Sequence, residues 1–78
     1  MAEKVPDCRL DLRGTPCPLN WVKTKLRLEE LEPGGTVELL VDQGNPARNV
    51  PRSAQMEGHK IVHLISENGA VRICIERG

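Results

Sequence analysis

The sequence predicts a two-layer α/β sandwich of the α+β class, in the order βαβαββ, with two helices on one face of a four-stranded mixed sheet. Three observations predict it. Two stretches of helical composition each follow a short strand-like segment. Two β-branched runs close the chain around Asn68-Gly69, a strong two-residue hairpin signal. The chain of 78 residues holds one core and no more, and two helices can cover only one face of such a sheet. The whole of residues 1–78 is therefore read as a single domain, with its core from about residue 8 to 77.

Taken in order, Cys8-Arg9-Leu10-Asp11-Leu12 alternates with period two and reads as a strand, ended by Arg13-Gly14-Thr15-Pro16. From Pro18 to about Glu32 the chain lacks interior Gly and Pro and is rich in Leu, Lys, Arg and Glu, which predicts a helix. Trp21, Thr24, Leu28 and Leu31 form its inward stripe, widened by Val22. Pro33-Gly34-Gly35 stops it.

Thr36 to Val41 is the second strand, with Val37, Leu39 and Val41 on one face. Asp42 to Pro46 is turn chemistry. A second helix is expected from about Ala47 to Glu57, with Ala47, Val50 and Ala54 inward and an irregular start because Pro51 removes a backbone donor. Gly58 ends it. His59 to Ser66 and Ala70 to Arg77 are strands. The hairpin register sets Leu64 against Ile73, Val62 against Ile75, and His63 against Cys74 on the outer face. That outer face, with Leu40, Ile61, Ile65 and Cys74 among charges, should be partly open and is a candidate contact surface.

Composition narrows the function classes. A domain this small buries only about 60–65% of its unfolded surface, so its chemistry belongs at the surface. Eleven basic residues balance eleven acidic ones, and Trp21 is the sole aromatic. Neither a basic footprint nor stacking platforms for direct nucleic-acid binding are present. No apolar run follows Met1-Ala2-Glu3-Lys4, and no stretch has the length of a membrane span. Three unequally spaced cysteines, Cys8, Cys17 and Cys74, read as free thiols in a reducing compartment, so the cytoplasm is the expected location.

The segment Thr15-Pro16-Cys17-Pro18-Leu19-Asn20 is the most informative. Pro18 suits the first helical position, where a missing N–H costs nothing. The residue before a proline is pushed to extended geometry, which an N-cap also needs. Cys17 is therefore expected at the helix start, where the partial positive charge and the free N–H groups of Leu19 and Asn20 favour a thiolate. Helix starts lower cysteine pKa values into a range of about 3.5–7.5. Arg13, Lys23 and Lys25 are close enough in sequence to add to that field. The blander alternative is a small buried hydrophobe.

These residues carry a resemblance. Leu10-Asp11-Leu12-Arg13-Gly14, Pro16-Cys17-Pro18-Leu19, Lys23-Thr24-Lys25 and Glu32-Pro33-Gly34, followed by Asp42, Asn49-Val50-Pro51 and Gly58-His59, resemble the TusA/SirA-like family of sulfur-transfer proteins over roughly Arg9 to Arg77. The resemblance implies the same βαβαββ sandwich, also seen in the C-terminal domain of a translation initiation factor. It implies a sulfur carrier, a sulfurtransferase without independent turnover, that accepts sulfur as a persulfide on Cys17. The donor would be a cysteine desulfurase or a rhodanese, and the acceptor a partner's cysteine serving tRNA thiolation, molybdenum cofactor work or oxidation of reduced sulfur. No cofactor is implied, and the state expected is a monomer or weak dimer.

Pro16 and Pro18 shape the motif. Asn20 is a departure, since the family signature is Cys-Pro-x-Pro. Asparagine restores an N–H that proline would delete, which is expected to give Cys17 one more backbone donor. Leu19, beside the thiol, is a candidate docking residue with Arg13, Lys23 and Lys25.

Other residues read more plainly. Cys8 shares a face with Leu10 and Leu12 and belongs to the core. Cys74 reads as a semi-exposed sheet residue, with resolution of a mixed disulfide as its other reading. His59 and His63 have a zinc-like spacing, but four residues of strand span about 13 Å, so no metal site is expected. The competing function is a non-catalytic regulatory or protein-interaction module that uses the open sheet face, with Cys17 merely structural.

Overall fold

A computed structural model describes residues 8–16 and 19–78. The element order is β1 (Cys8–Asp11), α1 (Leu19–Glu29), β2 (Thr36–Asp42), α2 (Asn45–Met56), β3 (Lys60–Glu67) and β4 (Ala70–Glu76). The four strands form one mixed sheet in the order β1-β2-β4-β3. β1 runs parallel to β2, while β4 is antiparallel to both β2 and β3. This is the expected βαβαββ sandwich.

Residues paired across neighbouring strands share a face, so the register sorts the sheet. Leu10, Leu39, Ile73 and Leu64 lie in one row on the helix-covered side, with Val37 and Ile75 in the next. Val37, Leu39, Val41, Ile73 and Ile75 are fully buried there against Leu28 of α1 and Val50 and Ala54 of α2. Burying each such large aliphatic side chain contributes about 1.5–3 kcal/mol. Cys8 and Leu10 are half-buried against this cluster, as the alternation of β1 predicts.

The hairpin closes as its sequence requires. Asn68 and Gly69 both have positive φ, 48° and 78°, and Leu64 faces Ile73 while His63 faces Cys74. The register then shifts between Ile61 and His63, so Ile61 rather than Val62 pairs with Ile75. Ile61, expected on the open face, therefore packs against the core, and Val62 is left 46% exposed. A single bulged residue reverses the phase of a strand whose side chains alternate with period two.

Cys74 also differs from expectation. It lies on the open face but is only 5% exposed. It sits on a central strand between Glu38 of β2 and His63 of β3, whose side chains flank it.

Both helices depart from their expected limits. α1 ends at Glu29, and i→i−3 bonds from Glu30 to Arg27 and from Leu31 to Leu28 tighten its exit. The Arg77 guanidinium donates to the carbonyl of Leu31 and, at 3.5 Å, to that of Glu29. A second cation, beside Arg27 of the last turn, thus meets the negative end of this helix. α2 starts at Asn45, two residues early, because Pro46 is accommodated in the first turn; Pro51 lies inside the helix without ending it. The inward stripe of α1 is Asn20, Thr24 and Leu28, with Trp21 and Leu31 half-buried beside it. Val22, expected inward, is 44% exposed.

Candidate functional site

The site is built on the connection from β1 to α1. Parallel pairing of β1 and β2, each followed by a helix, puts both helix starts at one end of the sheet. No acidic residue occupies the first turn of either helix, and α2 has no side-chain cap. Two positive helix ends, each worth roughly half a unit of charge, therefore contribute to the potential there.

The connection is held by short polar contacts. Leu12 still pairs with the sheet, its N–H donating to the Leu40 carbonyl at 2.8 Å. Gly14 then turns the chain with φ 76°, a conformation that glycine adopts without strain. Its N–H donates to Oδ2 of Asp42 at 2.7 Å, tying the β1–α1 connection to the end of β2. The Thr15 N–H closes a turn onto the Leu12 carbonyl at 3.1 Å.

Asp11 and Arg13 brace the same loop. Arg13 donates from Nε and Nη2 to the two carboxylate oxygens of Asp11, at 2.9 and 2.7 Å. These bonds, joined by one from the Arg13 N–H, hold the Asp11 carboxyl down at about 2. Arg13 was expected to lend its charge to the thiol segment. Its guanidinium is instead committed to Asp11, which largely cancels that charge at a distance.

Cys17 and Pro18 lie outside the described residues, so the side chain on which the reading turns is bracketed by Pro16 and Leu19. Pro16 is exposed and its carbonyl accepts the Asn20 N–H at 3.3 Å. The extra backbone donor expected from Asn20 is therefore engaged by Pro16. What Asn20 contributes is a side chain: it is fully buried, its Oδ1 accepts the Trp21 N–H at 2.7 Å, and its Nδ2 has no partner among the described residues. A buried donor left unpaired costs about 1–3 kcal/mol, so this is a strained way to begin a helix.

The remaining predicted site residues separate. Leu19 is 49% exposed at the start of α1. Lys23, one turn further, is exposed and makes no ion pair among the described residues. Lys25 is turned towards α2, where its Nζ lies 3.3 Å from Glu57. Sequence reading passed over Asp42 as turn chemistry. The available signal was a carboxylate closing a strand parallel to the one that feeds the motif.

Among the described residues no cluster of His, Cys, Asp and Glu is placed to hold a metal ion. No helix among them is long and apolar enough to cross a membrane.

Comparison with known proteins agrees with this architecture. The family model described as "Sulfurtransferase TusA" matches residues 9–77. A protein of Archaeoglobus fulgidus named "Putative sulfur carrier protein" is 42% identical over 55 residues, 70% of this chain and 62% of that protein's length. The Escherichia coli K12 protein named "Putative sulfur carrier protein YedF" is 30% identical over 77 residues, covering 99% of this chain and all of that one. The crystal structure of a SirA-like protein from Desulfitobacterium hafniense superposes with a TM-score of 0.80 at 30% identity, covering 91% of this chain and 97% of the other. With matches that run nearly end to end, in sequence and in fold, this chain belongs to the TusA sulfurtransferase family.

Proposed function

We propose that this protein is a sulfur carrier that holds sulfur as a persulfide on Cys17 and hands it to a partner protein. The observation that carries the reading is the match of residues 9–77 to the TusA sulfurtransferase family, a span that includes Cys17 and the Pro16-Cys17-Pro18-Leu19 segment that resembles the family motif. The Gly14–Asp42 bond and the two helix starts supply its physical support: a fixed connection opening into a field that favours an anion.

The transfer balances without an outside oxidant. The Cys17 thiolate attacks the outer sulfur of a donor's cysteine persulfide. A new S–S bond forms at Cys17 as the donor's own S–S bond breaks, and the electron pair leaves with the donor thiolate. Delivery repeats the step in reverse, with an acceptor cysteine attacking the outer sulfur now on Cys17 and the Cys17 thiolate leaving. One neutral sulfur atom moves each time, and the number of thiols and persulfides is conserved.

The partner has a surface to grip. Leu19, Val22 and Leu26 are 49%, 44% and 58% exposed and stand at i, i+3 and i+7 on α1, a single stripe leading away from the motif. Lys23 flanks it. A donor such as a cysteine desulfurase or a rhodanese would meet this stripe with an apolar patch and a carboxylate. Such a carrier works in a reducing compartment, the cytoplasm, and turns over nothing alone.

Intact mass measurement tests the reading. After incubation with a desulfurase and cysteine, the wild-type protein gains the mass of one sulfur atom, lost again on reduction. Cys17→Ser gains none. A docking module with a structural Cys17 would instead gain no sulfur in either form.

A further inference from the structure

The exposed large apolar side chains fall into two groups. Leu19, Val22 and Leu26 are on α1; Met56, Val62, Leu64 and Ile65 are on β3 or at the end of α2 that leads into it. The second group has no place in sulfur transfer as described. It lies at the β3 margin of the sheet, opposite the β1 margin.

β3 is eight residues long and, among the described residues, hydrogen-bonded on one side only, to β4. Its other side presents a row of unpaired backbone donors and acceptors, the usual template for adding a strand. Edge strands are commonly blunted by shortness, and β1, with four residues, is of that kind. β3 carries a bulge, which can also discourage pairing. Beyond it, however, His63 to Glu67 is regular and presents Leu64 and Ile65, 48% and 49% exposed.

The bulge also makes the strand self-complementary. Lys60 and Glu67 are seven residues apart, and in a regular strand would point to opposite faces. The extra residue returns both to the open face, Lys60 in the row of Glu76 and Glu67 in the row of Ala70. With Val62 bulged out, Leu64 is the middle of the strand. Lys60, Ile61 and His63 precede it; Ile65, Ser66 and Glu67 follow. Antiparallel pairing with a second β3 about a two-fold axis at Leu64 then sets Lys60 against Glu67 at both ends. It also sets His63 against Ile65 and Leu64 against itself, each pair on one face.

Charge on the open face runs the same way. Arg9 lies 3.8 Å from Glu38, Glu38 lies 3.5 Å from Arg72, and Arg72 bonds Glu67. This row alternates in sign across all four strands and ends on a carboxylate at the free edge. Lys60 is exposed and makes no ion pair among the described residues, so Lys60 of a second copy would continue the alternation.

We propose that β3 is a self-pairing edge, which joins two copies of this chain antiparallel about Leu64 into one eight-stranded sheet. The β1–α1 connection belongs to the opposite margin and stays open to a partner. An interface of one strand pair falls below the roughly 1,200 Å² of a standard stable complex, so the dimer is weak, with a Kd of about 10 µM to 1 mM.

Sedimentation velocity of the full chain, under reductant and at low salt, tests the proposal across about 10 µM to 1 mM. Wild type should shift from monomer towards dimer. K60E and E67K each face like charges at both ends of the pair and should weaken association by about tenfold. An equimolar mixture of the two restores opposite charges at both ends, and its association should return to within about threefold of wild type. Circular dichroism melts confirm that the variants remain folded. Wild type that stays monomeric throughout overturns the proposal. So do variants that associate like wild type, or a mixture no stronger than its components.

Discussion

Gly14 and Asp42 are joined by a 2.7 Å hydrogen bond, from the Gly14 N–H to Oδ2 of Asp42, across 28 residues of sequence. It connects the end of β2 to the loop that delivers the motif cysteine. The loop at Gly14, three residues before Cys17 in sequence, is thus tied to a parallel strand pair.

Asp42→Ala should therefore act in two ways. A hydrogen bond to a charged acceptor is worth about 1.5–3 kcal/mol, and partial exposure of Asp42 places the loss near the lower limit. Urea unfolding should show that loss. The second-order rate of alkylation of Cys17, the proposed sulfur-carrying thiol, should fall as well, because the Gly14 turn that precedes it loses its tie to β2. Asp42→Asn keeps an acceptor and should recover most of both.

Asn20→Pro restores the family signature and separates two roles for this position. Proline removes the N–H that Pro16 accepts and the carboxamide that caps the Trp21 N–H. Stability should fall, by about 1–2 kcal/mol, as two hydrogen bonds are lost while one orphan donor is removed with them. The acidity of Cys17 should not, because the deleted N–H belongs to Pro16. A thermal melt and the pH midpoint of alkylation, measured on the same variant, check the two halves.

The Asp11–Arg13 pair gives a pH dependence with a definite sign. The Asp11 carboxyl is lowered from 3.8 to about 2 by its bonds to Arg13. A carboxyl lowered on folding stabilises the folded state fully above its unfolded value, and that contribution is lost as pH falls through the folded one. The loop should thus loosen between about pH 4 and pH 2, and not at neutral pH. Carbon-detected NMR titration should place Asp11 near 2, and Arg13→Ala should return it towards 3.8.

Leu26 is the outermost residue of the exposed α1 stripe, 58% exposed and well separated in sequence from the cysteine. Leu26→Asp should raise the donor concentration for half-maximal sulfur loading by about tenfold, as loss of an apolar anchor does. The pH midpoint of Cys17 alkylation should stay where it is.

Most of the fold was legible because it rests on short-range signals. Asn68-Gly69 fixed the hairpin, and the alternation in β1 and β2 separated inner from outer residues. What was not legible came from interactions between distant residues. The shift between Ile61 and His63 has no local signature, and it exchanged the roles of Ile61 and Val62. Cys74 is buried by the neighbours that strand order gives it, which no run of sequence displays. Asn20 was read only for its backbone N–H, and the place of its side chain in the core follows from the rotation of α1, on which Val22 was expected instead. At the site, Leu19 and Lys23 are exposed as a docking role requires. Arg13 and Lys25 pair with Asp11 and Glu57, counter-charges from the approach strand and from the residue that caps the second helix, which their own sequence neighbourhood did not single out.

Sulfur carriage requires a Cys17 that is reachable and anionic near neutral pH in the folded protein. Native-state alkylation with iodoacetamide, followed site by site across pH, measures both at once. The expected result is rapid labelling of Cys17 with a midpoint clearly below the ordinary thiol value of about 8.5, while buried Cys74 resists until the chain unfolds. A Cys17 that labels only on unfolding, or with a midpoint at or above that value, would contradict the account.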